Sequence, residues 1–300
     1  MKTIYSIFTN SRFVISSMLV SAMLVSSVLE SSVVANELQS SRKDFPEKLS
    51  FQTKDLQTIR YVDVGPKAAE PVILIHGYYA HVKSNWWDNG LIPALVSNGF
   101  RVIAPDLRGH GHSSKPLSHK MYGQKMVTDV IDLLNHLKVQ RAHFHGYSMG
   151  GSVLTEILFR RPELFLSAVY GGSGIPESDP NRRPEDDVTG RDPDEDAAYE
   201  AVVKDPLQNH LALNAVRQNP PLKISTLSRL DLSAVKTPVL SIHGEFDFPN
   251  LRSSRMRREL INYRMIILKG KSHLTAVMAP FMPVMYLTET LKFLRQNTNM

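Results

Sequence analysis

The run Arg141-Ala142-His143-Phe144-His145-Gly146-Tyr147-Ser148-Met149-Gly150-Gly151 constrains this chain more than any other. A short apolar segment ends in Gly-x-Ser-x-Gly, and an amphipathic stretch from Ser152 to Phe159 follows at once. That order predicts a strand, a tight turn and a helix, with the serine lifted clear of the sheet in strained backbone geometry. Gly146 and Gly150 lack the Cβ atoms that would collide where strand and helix cross. A serine held this way is a candidate nucleophile. The competing reading is a glycine-rich turn whose serine caps the helix.

Composition narrows the setting. The chain has 300 residues, 42% of them hydrophobic, enough for a sizeable core in one large domain or two small ones. It has no cysteine, which excludes a disulfide framework, a thiolate nucleophile and a cysteine-based zinc site. The formal charge of +6 comes with no nucleic-acid motif, so no nucleic-acid partner is expected. Residues 1–35 read as a secretory signal. Lys2 and Arg12 precede an uncharged, largely apolar segment from Phe13 to Leu29, and Val33-Val34-Ala35 offers a cleavage point. Export to the periplasm or medium would leave a mature protein from Asn36 with no integral membrane domain. An uncleaved N-terminal anchor is the alternative.

Residues 36–57 are polar and read as a surface arm. Ile59 to Val64 alternates like an edge strand, and Pro71 to Ile75 is a continuous apolar run, as in a strand buried on both faces. A helical stretch near Trp86 to Asn98, a strand at Phe100 to Ala104 and a helix from Gly123 to Leu137 follow. After the Ser148 turn come strands at Leu166 to Tyr170, Pro238 to Gly244 and Tyr263 to Leu268, with helices at Leu251 to Asn262 and Phe281 to Gln296. Strands alternating with helices predict an α/β fold: a mostly parallel central sheet with helices on both faces.

Between about Gly174 and Asp231 the alternation breaks, predicting a small cap over the carboxyl edge of the sheet. Residues 36–300 otherwise read as a single domain. From Glu177 to Glu200 ten acidic residues face three arginines. That balance predicts a negative flap held partly by long-range attraction and disfavouring anionic substrates. The run Asp192 to Asp196 lacks the turn glycine and closing glutamate of a calcium loop. It reads as a helix start, with Asp192 as N-cap and Pro193 at the first position. The arginines of the Leu251 helix read as a solvated face.

A nucleophilic serine needs a base, the base an orienting acid, and the intermediate oxyanion donors. Loops after the later strands supply His273, in Lys269-Gly270-Lys271-Ser272-His273, and Asp247, in Gly244-Glu245-Phe246-Asp247-Phe248. Glu245 is the rival acid, with Glu177 and Asp179 more remote. In an open α/β sheet such loops meet at one crevice.

With His76-Gly77, the Asp106 to Ser113 loop, the Gly146 to Gly150 turn, Asp247 and His273 in this order, the chain resembles the α/β-hydrolase-fold superfamily, from about Ile59 to Leu294. The resemblance implies an exported serine esterase acting on a small-molecule ester or lactone, with no cofactor and no metal. It implies Ser148 as nucleophile, His273 as base and then acid, and Asp247 holding its tautomer. The main-chain N–H groups of Tyr78 and Met149 would form the oxyanion hole, supported by His76, Gly77, Gly146 and Gly150. Ser272 stands where similar proteins often carry glycine. Serine at 148 argues against the related dehalogenases and epoxide hydrolases, which use aspartate there. A carbon–carbon bond hydrolase, a cofactor-free haloperoxidase-like enzyme and a non-catalytic binding protein are the alternatives. His143 and His145 read as core residues, His76 as a brace for its loop, and His110 and His112 as support behind the site. Trp86 and Trp87 either line the pocket mouth or pack in the core.

Overall fold

The computed structural model describes residues 44–179, 181–182 and 187–298, and Phe45–Met300 makes up one unit. The leader at 1–35 lies outside the described residues. Among the described residues one sheet collects β1 (Leu49–Gln52), β2 (Thr58–Val64), β3 (Pro71–Ile75), β4 (Arg101–Pro105), β5 (Ala142–Tyr147), β6 (Phe165–Gly171), β7 (Val239–Gly244) and β8 (Tyr263–Leu268). Their spatial order is β1-β2-β4-β3-β5-β6-β7-β8. Only the β1–β2 and β2–β4 pairings are antiparallel; from β4 onward neighbours run parallel. The predicted α/β class and mostly parallel sheet are therefore what this sequence adopts.

The apolar runs explain which strands lie inside. Every residue of β5, β6 and β7 is buried, which a parallel sheet achieves only with helices on both faces. The covering helices are α1 (Leu91–Ser97), α2 (Gln124–His136), α3 (Met149–Arg160), α7 (Pro249–Glu259) and α8 (Val284–Gln296). Ile73 and Ile75 join Met126, Val127 and Val130 of α2 and Val153, Leu154 and Ile157 of α3 in one apolar cluster. Val72 and Leu74 point the other way along the same strand and are fully buried too. On that face α1 packs against both β4 and α8.

Between β6 and β7 the chain leaves the sheet and forms α4 (Glu195–Val203), α5 (His210–Gln218) and the short α6 (Ile224–Leu227). Three expectations need correction. The polar stretch before residue 58 contains β1, whose four residues are mostly exposed at the sheet edge and so carry little apolar signal. The helix near Trp86 is two pieces, Lys83–Trp87 and α1, separated by Gly90 at φ 84°. The terminal helix starts at Val284 rather than Phe281, with Pro283 just before it.

Of the imidazoles buried among the described residues, His76, His145 and His243 are shifted far. Burial, with His110 nearby, drives His76 from its ordinary 6.5 down to about 3. Burial alone takes His145 to about 3, and burial takes His243 to about 4. Each folded-state value lies below its unfolded value, so between these limits the unfolded chain binds more protons. The stability these groups supply is complete above pH 6.5 and is lost as the pH falls below it. Each is expected to remove about 1.4 kcal/mol per pH unit in that window. Urea unfolding at about pH 7.5 and about pH 5.5 checks this. A midpoint that does not move would contradict neutral burial of these rings.

Candidate active site

The site grows from the turn between β5 and α3. Ser148 sits there at φ 52° and ψ −116°, a left-handed conformation that a non-glycine residue holds only when its surroundings enforce it. The enforcement is steric. A Cβ on Gly150 would lie 2.0 Å from the Ile75 carbonyl oxygen, and one on Gly146 would lie 2.5 Å from that of Gly150. Only glycines let β3, β5 and α3 approach this closely.

Three strand-end loops then converge. Ser148 Oγ lies 2.9 Å from His273 Nε2, and His273 Nδ1 lies 2.8 Å from Asp247 Oδ2. Asp247 is 2% exposed, so its charge needs a partner, and Arg252 of α7 supplies one. Arg252 Nη2 is 2.9 Å from Asp247 Oδ1, and its Nε donates to the Asp247 carbonyl oxygen at 2.8 Å. Sequence reasoning missed Arg252 by placing the arginines of this helix on a solvated face. Arg255 departs from that expectation as well: it is buried and donates to the carbonyls of Leu227 and Leu230. The signal available was an arginine one helical turn beyond the aspartate, at the start of a helix. Tyr147 Oη donates to the His273 carbonyl at 2.5 Å, tying the turn to the histidine loop.

The rival acids are engaged elsewhere. Glu245 accepts from Gly270 N–H at 2.8 Å and pairs with Lys269 at 3.0 Å. Glu177 accepts from Ser178 and Asp179 N–H and pairs with Arg258.

The backbone around Tyr78 and Met149, the expected oxyanion donors, is held by hydrogen bonds. Ser148 N–H is taken by the Gly171 carbonyl at 2.8 Å, so it is not available to a substrate. Met149 opens α3, and the first N–H groups of a helix have no acceptor within it. On the facing loop, Gly77 N–H donates to Asn85 Oδ1 at 2.8 Å, which fixes the backbone just before Tyr78. His76 Nε2 accepts the Leu107 N–H at 2.9 Å. The proton of this neutral ring must then sit on Nδ1, where it is donated to the Gly77 carbonyl at 2.8 Å. His76 thus binds two loops together.

Above Ser148 lies a cavity of about 210 Å³. Tyr79, Val202, Leu274, Val277 and Met278 give it apolar walls, and no lysine or arginine lines it among the described residues. Val202 comes from α4, and Tyr78 Oη donates to the Leu213 carbonyl of α5, so the 174–231 segment forms part of the roof. Trp86 is fully buried against His145, and Trp87 packs on Phe45; neither lines the cavity.

The acidic segment is held differently from expectation. Asp187 accepts from the N–H groups of Asn250 and Leu251 at the start of α7. The N-cap of α4 is Asp194, not Asp192. Asp192 instead points inward and is 2% exposed. Hydrogen bonds at named groups anchor this segment.

A family model described as alpha/beta hydrolase fold matches residues 70–213. A dihydrolipoyllysine-residue acetyltransferase component of the acetoin cleaving system of Pseudomonas putida is 35% identical over 121 residues, 40% of this chain and 31% of that protein. A haloalkane dehalogenase of Psychrobacter cryohalolentis is 32% identical over 124 residues, 40% of this chain and 39% of that protein. The matches thus span 31% and 39% of these relatives' own lengths. Among solved structures, an esterase from Rhodococcus sp. ECU1013 superposes with a TM-score of 0.65 at 21% identity, covering 84% of this chain and 100% of that one. That likeness is one of fold. With this sheet order, this serine turn and these matches, the chain has the α/β-hydrolase fold.

Proposed function

We propose that this protein is a serine hydrolase that cleaves small, neutral carboxylic esters or lactones through an acyl-enzyme. The observation that carries the reading is the unbroken chain from Ser148 Oγ to His273 to Asp247, at 2.9 and 2.8 Å, on a strained turn. His273 Nε2 takes the Ser148 proton as Oγ attacks the substrate carbonyl carbon. The tetrahedral oxyanion is received by the N–H groups of Tyr78 and Met149. The same Nε2 proton then passes to the departing alcohol, and the C–O bond breaks to leave acyl-Ser148. Water, deprotonated by His273, attacks the acyl carbon and releases the carboxylic acid. Asp247 fixes the ring with its proton on Nδ1 and balances the imidazolium that forms. Arg252 pairs with Asp247 and keeps it aimed.

The cavity supports the substrate class. Its volume of about 210 Å³ is below the roughly 300 Å³ at which drug-sized pockets begin, which favours short acyl groups. With no lysine or arginine lining it among the described residues, a substrate carboxylate would lose its water without gaining a fixed cationic partner. The leader pattern over residues 1–35 supports an enzyme that meets its substrates outside the cytoplasm.

Hydrolysis of p-nitrophenyl esters from acetate to octanoate tests the reading. Turnover should be highest for acetate to butyrate and fall for octanoate. Ser148→Ala and Asp247→Asn should each lose about a thousandfold or more in kcat while keeping the wild-type fold by circular dichroism. Glu245→Gln, which breaks only a pair with exposed Lys269, should change kcat by about twofold or less. Full activity in Ser148→Ala would refute the assignment.

A further inference from the structure

The loop carrying His273 has hydrogen-bonded turns but no helix or strand, so its alignment with Ser148 also depends on contacts from outside the loop. Two carboxylates from the start of the cap reach into it. Asp192 Oδ2 accepts the Ser272 N–H at 3.1 Å and the Thr275 hydroxyl. Glu195 accepts the Ser272 hydroxyl and the Leu274 N–H. The residues before and after His273 are therefore bound to the same short stretch of cap. Asp192, Ser272 and Thr275 are 2%, 5% and 0% exposed, so water does not compete for these bonds. Asp192 is itself fixed, because its Oδ1 accepts the Asp194 N–H at 2.9 Å.

Within the Gly270-Lys271-Ser272-His273 stretch, the Ser272 hydroxyl is the group that Glu195 engages. Resting on the serine-hydrolase reading above, we propose that Asp192, with Glu195, is a positioning residue that aligns His273 from the cap. The cap then serves the chemistry as well as the roof of the cavity. Neither carboxylate touches the reacting atoms; both act through the loop. Burial raises Asp192, but the Thr275 hydroxyl and the N–H groups of Asp194 and Ser272 outweigh it and hold the carboxyl below its usual range. It is accordingly an anion near neutrality, and its hydrogen bonds are the stronger, charge-assisted kind.

A misplacement of about 1 Å costs about a hundredfold in rate, which sets the expected size. Asp192→Ala should lower kcat on p-nitrophenyl acetate by about 10- to 100-fold, with KM changed by about threefold or less. Asp192→Asn, which keeps the shape but cannot accept at both atoms, should fall between it and wild type. Glu195→Gln should have a smaller effect in the same direction. Arg191→Ala, which removes only the exposed pair with Asp196, should leave kcat unchanged.

A purely structural role is separated by repeating Asp192→Ala in a His273→Ala background with excess enzyme. If Asp192 acts through His273, its further loss should cost nothing there; a full second loss would overturn the proposal. Should Asp192→Ala fold poorly, the Asp192→Asn cycle carries the same decision. Hydrogen exchange gives a readout that needs no turnover, since the Ser272 amide should exchange faster once Asp192 is gone. Unchanged exchange would refute the clamp itself. Undiminished turnover in Ser148→Ala would instead refute the nucleophile reading and leave the exchange result to judge the clamp.

Discussion

The rest of the structure depends on a contact that tolerates no side chain: the passage of α3 across the end of β3 at Gly150. A Cβ there would stand 2.0 Å from the Ile75 carbonyl oxygen. Because that space stays empty, α3 begins directly beneath the strand ends, and Ser148 is forced to φ 52°. The strain costs an estimated 1–3 kcal/mol and is held by the buried apolar cluster on α3, where Val153, Leu154 and Ile157 meet β3 and α2. One steric fact thus places the serine, exposes its Oγ and sets the first N–H groups of the helix beside it.

Everything else in the site arrives on loops from other strands, and each loop is fastened by polar groups removed from water. Arg252 fastens the acid, Tyr147 and the cap carboxylates fasten the base, and His76 and Asn85 fasten the loop before Tyr78. A buried polar group without a partner is costly, so each bond holds its loop in one arrangement. The cavity above can therefore be small and apolar while the groups around it stay aligned.

The sheet was legible because its signals are local. The apolar run Pro71 to Ile75 is β3 as predicted, and Tyr263 to Leu268 is β8 as predicted. Ser148, Asp247 and His273, picked out by motif, chain order and resemblance, meet at hydrogen-bonding distance. What stayed hidden depends on tertiary contact. Only its place one turn beyond Asp247 marks Arg252, and nothing local marks Arg255, yet Arg252 binds Asp247 and Arg255 is buried against Leu227 and Leu230. Asp192 satisfied the rule for a helix cap, but folding turned it toward Ser272 and Thr275, some 80 residues along the chain. β1 was missed because an exposed edge strand of four residues needs no apolar face.

The central claim is that Ser148 Oγ is the atom that becomes acylated. It is tested most directly with diethyl p-nitrophenyl phosphate, whose phosphoryl group remains on an attacking serine. The account predicts one p-nitrophenolate released per protein molecule, and peptide mapping by mass spectrometry should place the diethylphosphoryl group on Ser148. Pre-incubation with a short-chain ester should slow the labelling. Stoichiometric labelling of another residue, or none under conditions where the ester is hydrolysed, would contradict it.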